Sequence, residues 1–402
     1  MIRRRAAAPR LLYNGRMIAR TGIVLAMLQF AFALTWVVYV AYLPALAAQV
    51  GIAKSVVPWI LLVDQLIFVV CDWLAGTFAD RAGDAVVRLG RQIALVTVVS
   101  CAAFVALPFV APAGSAPLLV AIMVVWSASS SMLRAPPLAL AGRHAARPQR
   151  AWLAALYALG LGMAGVVAPA LGKTLATIDP RIPFAASSFV VAAMAVVLAA
   201  LPHDAPAARA AHEPGQPRSL VGFALAIALL AIGYQVHASI TSTPIYLRHA
   251  ARDDLGRLLP VFWIGFNVAT LASAALVRRA GGLLVMTGAG VIGAAALIIV
   301  EVAGSLAPVV AAQAVAGLAW GSIMVGAFTA STALARRPGQ ATGMLFSLLA
   351  AATAARIAFA ASGLAATPDV AAVAPLVPPI GWGLGTLVVA ALALGRDRAA
   401  TR

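Results

Sequence analysis

Polar and aromatic residues recur at helical spacing within four long apolar stretches of this 402-residue chain. Separations of three, four and seven residues place the members of each set on one face of a helix. Their hydroxyl, amide, imidazole and aromatic groups suit the binding of a moderately polar or amphipathic small molecule. The candidate binding residues are Gln29, Trp36, Tyr39, Ser127, Ser130, Tyr234, Gln235, His237, Thr241, Gln313 and Trp320.

Tyr234, Gln235 and His237 form the densest of these polar clusters. An imidazole titrates near neutral pH, so His237 is a candidate both for binding a solute and for carrying a proton. A lone histidine in an apolar segment equally fits a hydrogen bond between two helices. Serine faces and aromatic rings also occur where helices pack together or meet the membrane interface, and the sequence leaves these alternatives open.

The elements that must position these residues are apolar segments long enough to cross a membrane. Hydrophobic residues make up 63% of the chain and charged residues 10%, whereas a soluble domain carries about a quarter charged residues. This composition excludes a soluble enzyme and a disordered chain. A spanning helix needs about 20 apolar residues. The twelve candidates are 21–47, 56–79, 92–111, 117–139, 151–172, 183–202, 219–247, 257–277, 282–303, 307–333, 341–363 and 375–395.

The longest internal connection, 203–218, is polar and contains proline, so it is predicted to be a cytoplasmic linker. It divides the chain into an N-terminal six-helix bundle, 21–202, and a C-terminal six-helix bundle, 219–395, a parallel repeat typical of secondary transporters. The remaining residues, 1–20 and 396–402, are predicted cytoplasmic tails.

The basic residues are distributed as the topology of a membrane protein requires. Of the 29 Lys and Arg, 21 fall in the tails and connections on one side and six on the other. This asymmetry predicts that both termini are cytoplasmic. It also accounts for the net charge of +17 without a nucleic-acid partner. The preference for Arg over Lys and the abundance of Ala indicate a GC-rich bacterial genome. We therefore expect the protein to lie in a bacterial cytoplasmic membrane.

The connection between the second and third segments reads Gly76-Thr-Phe-Ala-Asp80-Arg81-Ala-Gly83. It resembles the G-x-x-x-D-R-x-G signature of the major facilitator superfamily, in the position that the family gives it. The sequence departs from the family at Asp84 and Ala85, where two basic residues are usual. In the family this loop latches the two halves of the protein together in one conformation.

The resemblance implies a conformational latch at the cytoplasmic side. Two further charged residues near that side, on the second and fourth segments, belong either to this latch or to the substrate site, and the latch is favoured. The predicted latch residues are Gly76, Asp80, Arg81, Gly83, Asp72 and Arg134. In the fifth segment, Pro169-x-x-Gly172 resembles part of a motif found in antiporters of the family, with Ala168 in place of its glycine. Close helix packing explains these glycines equally well.

The resemblance also implies an all-α membrane protein with twelve transmembrane helices in two pseudo-symmetric six-helix bundles. In the family, helices one, four, seven and ten line a central cavity, and these are the segments that carry the polar sets. The expected function is secondary active transport of a small organic solute by alternating access. Asp64 and His237 are titratable and no sodium-site pattern is present, which favours proton coupling. The short linker and the partial antiporter motif favour export over an uptake symporter.

Asp64 and Arg356 are charged residues inside the second and eleventh segments, where an ionised side chain is costly. Helices two and eleven face each other in the family. We therefore expect an Asp64–Arg356 pair that closes the outer side while the cytoplasmic side is open. Together with His237 these residues form the predicted proton-coupling or gating set. The alternative is that Asp64 and Arg356 each face cavity water independently.

The sequence contains no HExxH, no GxxxxGK[ST] and no Ser/His/Asp set in a loop, and its connections are too short for an extramembrane domain. It is therefore predicted to be neither an enzyme nor an ATP-driven pump, and to use no cofactor or metal. The expected partners are a small-molecule substrate and the lipid bilayer, with the protein a monomer. The remaining rival is a transporter-like membrane receptor that binds without translocating, although the predicted tails leave no room for an output domain.

Overall fold

The computed structural model describes residues 7–81, 86–144, 147–201, 217–334, 337–364 and 367–400. Within these ranges the chain is helical and contains no β-strand. Among the described residues, twelve helices are long and apolar enough to cross a membrane, which confirms the predicted number. They are α1 (Ala19–Gln49), α2 (Lys54–Arg81), α3 (Leu89–Ala113), α4 (Ala116–Leu140), α5 (Gln149–Gly172), α6 (Arg181–Ala200), α7 (Ser219–Leu247), α8 (Arg252–Ala280), α9 (Gly282–Val302), α10 (Leu306–Ala333), α11 (Pro338–Ala361) and α12 (Pro368–Gly395).

These bounds follow the predicted apolar segments closely, and the largest differences lie at the starts of α8 and α12. Short helical turns, Leu255–Leu258 and Pro368–Val373, precede the apolar part of each of these two spans. Helix also continues into the predicted tails, beginning at Ala7 and ending at Ala400. Of the predicted linker, residues 203–216 lie outside the described residues.

Within each half, consecutive helices are joined by short connections and therefore run in alternating directions. The contact of Gly76 with Gly339 places the end of α2 beside the start of α11. One end of the bundle consequently carries Arg81, Arg91, Arg150, Arg279 and Arg337. We call this end the basic side and the other end the opposite side.

The first six and last six helices meet along two main lines of contact. α2 packs along α11, and α5 packs along α8. Within the first six, α1 packs on α5 and α6, whereas within the last six α7 packs on α11 and α12. At the α2–α11 crossing a Cβ on Gly76 would collide with the backbone carbonyl of Gly339. Glycine is therefore required there, because the two backbones touch directly.

Large apolar side chains cover the outside of the bundle. Val221, Phe189 and Val302 expose between 72% and 76% of their surface. Such exposure would be costly in water but suits contact with lipid acyl chains. This surface agrees with the membrane location that the apolar composition predicts.

Two of the helices with polar sets are irregular at those residues. α4 contains a 3-10 turn at Ser131–Leu133, and α7 contains a π-helical turn at His237–Thr241. A π-helical turn adds one residue and rotates the side chains beyond it relative to those before it. The helical spacing read from the sequence therefore holds on each side of the break but not across it.

Candidate functional site

A buried acid on α2 is the meeting point of three helices. Asp64 is 2% exposed, and each of its carboxylate oxygens accepts one hydrogen bond. The Tyr39 hydroxyl donates to Oδ2 at 2.6 Å, and the Ser127 hydroxyl donates to Oδ1 at 2.6 Å. Hydrogen bonds to an ionised acceptor are stronger than neutral ones, so this arrangement stabilises a carboxylate deep in the bundle. The structure thus brings together two predicted binding residues and a predicted proton-coupling residue.

Aromatic rings pack beside this acid. Trp36 stacks on Trp126, with ring centroids 5.9 Å apart and an interplanar angle of 17°. Tyr39 lies 4.6 Å from Trp126 between centroids. Trp126 was not predicted as a site residue, although it lies four residues before Ser130 and therefore near the same helix face. Its signal was an aromatic residue neighbouring a polar set in the middle of a span.

Two other predicted binding residues of the first half make bonds to backbone carbonyls. Gln29 donates through Nε2 to the carbonyl of Leu133 at 2.7 Å, and Ser130 donates to the carbonyl of Ser127 at 3.0 Å. Leu133 ends the 3-10 turn, so Gln29 stabilises the break in α4. The Gln29 Oε1 is buried and has no hydrogen-bond partner among the described residues.

The polar residues of α7 and α10 form a chain of hydrogen bonds. His237 is 2% exposed, and its Nε2 lies 2.9 Å from Gln313 Oε1. Gln313 donates in turn from Nε2 to the Ser242 hydroxyl at 3.1 Å, and Thr241 donates to the His237 carbonyl at 3.4 Å. The His237 contact requires a hydrogen on Nε2, because the amide oxygen can only accept. This geometry is that of a helix-to-helix bond, one of the two roles left open by the sequence.

A stack of aromatic rings lies beside this chain. Tyr234 stacks on Trp320 with centroids 4.6 Å apart and planes within 8°. Trp320 stacks on Trp382 at 5.6 Å, and Trp382 donates its indole N–H to the Leu230 carbonyl at 3.0 Å. Trp382 was not predicted, because a single tryptophan in an apolar helix also fits the membrane interface.

Gln235 reaches a different helix from its neighbours in the sequence. Its side-chain amide donates to the Thr353 hydroxyl on α11 at 2.8 Å. Thr353 was not predicted, because an isolated threonine in an alanine-rich helix gives no periodic signal.

A cavity of about 360 Å³ lies between α1, α2 and α11 toward the opposite side. Trp36, Leu61, Thr353 and Arg356 contribute to its lining. The Arg356 Nε is buried and has no hydrogen-bond partner among the described residues. Asp64 and Arg356, which are both described, do not form an ion pair. Both Asp64 oxygens instead accept hydrogen bonds from hydroxyl groups. The pair was expected in a conformation closed at the side where Arg356 lies, whereas here a cavity lies beside Arg356.

The closure at the basic side includes a hydrogen-bonded cap. Asp80 accepts hydrogen bonds from the backbone N–H groups of Gly339 at 2.9 Å and Gln340 at 2.7 Å. These groups lie in the first turn of α11, where amides lack helical partners and the helix dipole favours a negative charge. The cap joins α2 to α11 across the two halves. Of the other predicted latch residues, Arg81 is exposed and Gly83 lies outside the described residues.

The remaining two predicted latch residues, Asp72 and Arg134, form an ion pair about two helical turns further from the basic end of α2 than Asp80. Asp72 Oδ2 lies 3.0 Å from Arg134 Nη1, and Asp72 is fully buried. The Arg134 guanidinium lies over two rings, 4.8 Å from the centroid of Phe68 and 5.3 Å from that of Phe346. Phe346 belongs to α11, so this ion pair of the first half also contacts the second half.

Three aromatic residues fill the space beside the ion pair. The rings of Tyr157 and Phe328 lie 5.3 Å apart between centroids, and those of Phe328 and Phe346 lie 5.5 Å apart. The Tyr157 hydroxyl donates to the backbone carbonyl of Arg134 at 3.0 Å. We call Tyr157, Phe328 and Phe346 the aromatic plug. It joins α5, α10 and α11 and, with the Asp80 cap, closes the basic side.

Comparison with known proteins gives one family and several similar folds. The family model described as Major Facilitator Superfamily matches residues 25–355. None of the curated proteins matches the sequence. The human organic anion transporter MFSD10 (TETRAN) has a similar structure, with 15% identity and a TM-score of 0.69, covering 93% of this chain and 99% of that chain.

Two further solved structures are similar over nearly the whole chain. A bacterial homologue of the iron transporter ferroportin in the outward-facing state has 16% identity and a TM-score of 0.64, with coverage of 94% and 99%. The Major Facilitator Superfamily transporter FucP in the outward conformation has 12% identity and a TM-score of 0.69, with coverage of 94% and 99%. At these identities the similarity establishes the fold alone.

Proposed function

The chain belongs to the major facilitator superfamily, and we propose that it is a secondary active transporter that moves a small organic solute by alternating access. The observation that carries this proposal is the asymmetry of the interface between the halves. The Asp80 cap and the aromatic plug close the basic side, while a cavity lies between α1, α2 and α11 toward the opposite side. A solute in that cavity has its exit to the basic side blocked.

The two moving bodies of this proposal are residues 21–202 and 219–395, joined by a cytoplasmic linker at 203–218. Tilting them to close the opposite side separates the Asp80 cap from α11 and takes Phe346 away from Tyr157 and Phe328. It also brings α2 and α11 closer at the opposite side, where we propose that Asp64 and Arg356 then pair. Movement of whole bundles about a fixed site is the usual form of alternating access.

Asp64 is the proposed proton carrier. Its carboxylate is held by hydroxyls from α1 and α4, so its charge state affects how three helices pack. A proton on Asp64 removes the charge that Tyr39 and Ser127 stabilise. In the conformation closed at the opposite side, it also removes the attraction between Asp64 and Arg356. Proton binding and the change of conformation are then coupled through one residue.

The proposed orientation places the basic side and both termini in the cytoplasm of a bacterial cell. The distribution of Lys and Arg supports it, because basic residues accumulate on the cytoplasmic side of membrane proteins. The cavity toward the opposite side is then open outward, and we propose export from a monomer, with the solute released there. Uptake is the alternative for the same site.

Counterflow tests transport against binding alone. The purified protein is reconstituted in liposomes, solutes that raise its melting temperature are selected, and exchange of the labelled solute is measured with and without a pH gradient. We expect counterflow by the wild type and gradient-driven accumulation that Asp64→Asn abolishes while counterflow persists. Asp254→Asn removes an exposed acid at the opposite side and serves as the matched control. Binding without counterflow would establish the receptor alternative, and indifference to the gradient would exclude proton coupling.

A further inference from the structure

We infer that the solute is an organic anion, whose acidic group binds the Arg356 guanidinium and whose apolar part packs against Trp36. This inference rests on the proposed transport function and adds the chemical class of the substrate. It follows from the charges around the cavity, from the shape of the guanidinium and from the size of the space.

Arg356 is the sole charged side chain among the described residues that line the cavity. The three acids of α2 all have partners elsewhere. Asp64 binds two hydroxyls, Asp72 pairs with Arg134, and Asp80 caps α11. A guanidinium within the membrane is costly without a counter-charge, so the protein leaves a cationic position that an anion from solution can neutralise.

The geometry of arginine narrows the class further. A guanidinium offers a planar fork of donors that matches the two oxygens of a carboxylate, or the oxygens of a phosphate or sulfonate. The Arg356 Nε is one of these donors, and it is buried without a hydrogen-bond partner in the described part of the chain. Binding such an oxyanion satisfies this donor and the charge together.

The walls of the cavity favour an anion with an apolar body. Trp36 offers an indole ring that is already held in place by its stack on Trp126. Val40, Leu61 and Ile357 are among the residues that supply further apolar surface. The volume of about 360 Å³ is at the lower end of the range for ligand pockets, which suits a compact aromatic or branched aliphatic acid.

The test compares charged and neutral versions of one shape. Wild-type protein in phosphatidylcholine nanodiscs is titrated with benzoate and indole-3-acetate, with their amides and with benzylamine, and binding is measured by calorimetry. We expect the two carboxylates to bind and the amides and the amine not to bind. Arg356→Gln should weaken carboxylate binding by at least about 30-fold, the loss typical when one partner of a desolvated charge pair is removed.

The matched control is Arg248→Gln, which removes a positive charge from the same side but outside the cavity. Arg248 pairs with Glu301 at 3.0 Å, and its side chain is 48% exposed. The Arg248→Gln variant should bind carboxylates as the wild type does. Arg356→Lys keeps the charge but loses the fork, so it should bind with intermediate affinity. Thermal unfolding of each variant verifies that it is folded.

An anionic lipid offers the same chemistry, and a second set of nanodiscs distinguishes it from a free solute. If added phosphatidylglycerol occupies Arg356 and no free carboxylate binds in its absence, the inference is wrong. It is also overturned if amides bind as well as acids, if no carboxylate binds at millimolar concentration, or if Arg356→Gln has no effect. Carboxylate binding without counterflow would leave this site intact and reject transport instead.

Discussion

The Tyr39 hydroxyl donates a 2.6 Å hydrogen bond to Asp64 Oδ2, so that α1 and α2 share a buried charge. Both residues are nearly inaccessible, at 0% and 2% exposure. Any change in the charge of Asp64 is therefore felt first by Tyr39 and by Ser127, and through them by α1 and α4. Neighbouring hydroxyls on α1 provide a way to measure the strength of this link.

Tyr39→Phe should destabilise the protein more than Tyr42→Phe. Tyr42 is one turn away on α1 and bonds to the neutral backbone carbonyls of Leu175 and Ile178. Removing a donor to a charged group costs about 1.5–3 kcal/mol, against about 1 kcal/mol for a neutral acceptor. Chemical unfolding in micelles at pH 8 measures both values. Equal losses would mean that Asp64 carries no charge in the folded protein.

Asp80→Ala should shift the protein toward a conformation open at the basic side. The substitution removes two hydrogen bonds to the first turn of α11, and loss of a helix cap costs about 1 kcal/mol. That corresponds to roughly a fivefold change in the ratio of the two conformations. A single cysteine in place of Ser331, which is fully buried near the basic end of α10, reports opening through its reaction with a maleimide.

This measurement requires a background in which Cys71 and Cys101 are replaced by serine. Asp253→Ala is the matched control, because Asp253 is an exposed acid at the opposite side. This variant should leave the labelling rate unchanged. A rate that is identical in the Asp80→Ala variant and its parent would show that the cap does not hold this side closed.

Gly76→Ala should also weaken the closed conformation. Its Cβ would meet the Gly339 carbonyl and the backbone of Gly343, which are rigid, so α2 and α11 must move apart. Overpacking of this kind costs about 1–3 kcal/mol. Gly288→Ala, in α9, is the control because no atom lies within 4 Å of its Cβ position. It should be neutral or slightly stabilising, since alanine favours helix. Melting temperatures of the two variants check the prediction, which fails if they change alike.

His237→Gln and His237→Leu separate the two roles of this histidine. Glutamine can still donate to Gln313 Oε1 but does not titrate near neutral pH. If His237 is a helix-to-helix bond, glutamine should retain most of the transport and its pH dependence, whereas leucine should lower stability by about 1–3 kcal/mol by leaving the amide oxygen unpaired. Transport that loses its pH dependence in His237→Gln would instead identify His237 as a proton carrier.

The spans could be predicted from the sequence because apolar length alone determines whether a helix can cross a bilayer. The polar faces could be predicted as well, and Tyr39 and Ser127 were among them. Their common partner, Asp64, could not be assigned from spacing, because it lies on a third helix and contacts between helices depend on how the whole bundle packs. For the same reason, the hydrogen bond between Gln235 and Thr353 could not be predicted from the sequence.

Local irregularity limited the prediction at other positions. The π-helical turn at His237–Thr241 breaks the spacing that placed Tyr234 and Thr241 on one face. Tyr234, which precedes the turn, stacks on Trp320, while Thr241, at the end of the turn, bonds to the carbonyl of His237. The hydrogen bond between His237 and Gln313 joins this turn to α10, and no local pattern of residues reveals such a contact.

The glycines at the α2–α11 crossing determine how this end of the protein comes apart. Gly76, Gly339 and Gly343 contact one another through backbone atoms alone, so no interlocked side chains need to separate there. Water can reach the released amides as soon as the helices separate, so little resistance is concentrated at this crossing. The slow part of opening should then be the withdrawal of Phe346 from the rings around it, and trimming that one residue should accelerate the protein's cycle more than any change among the glycines.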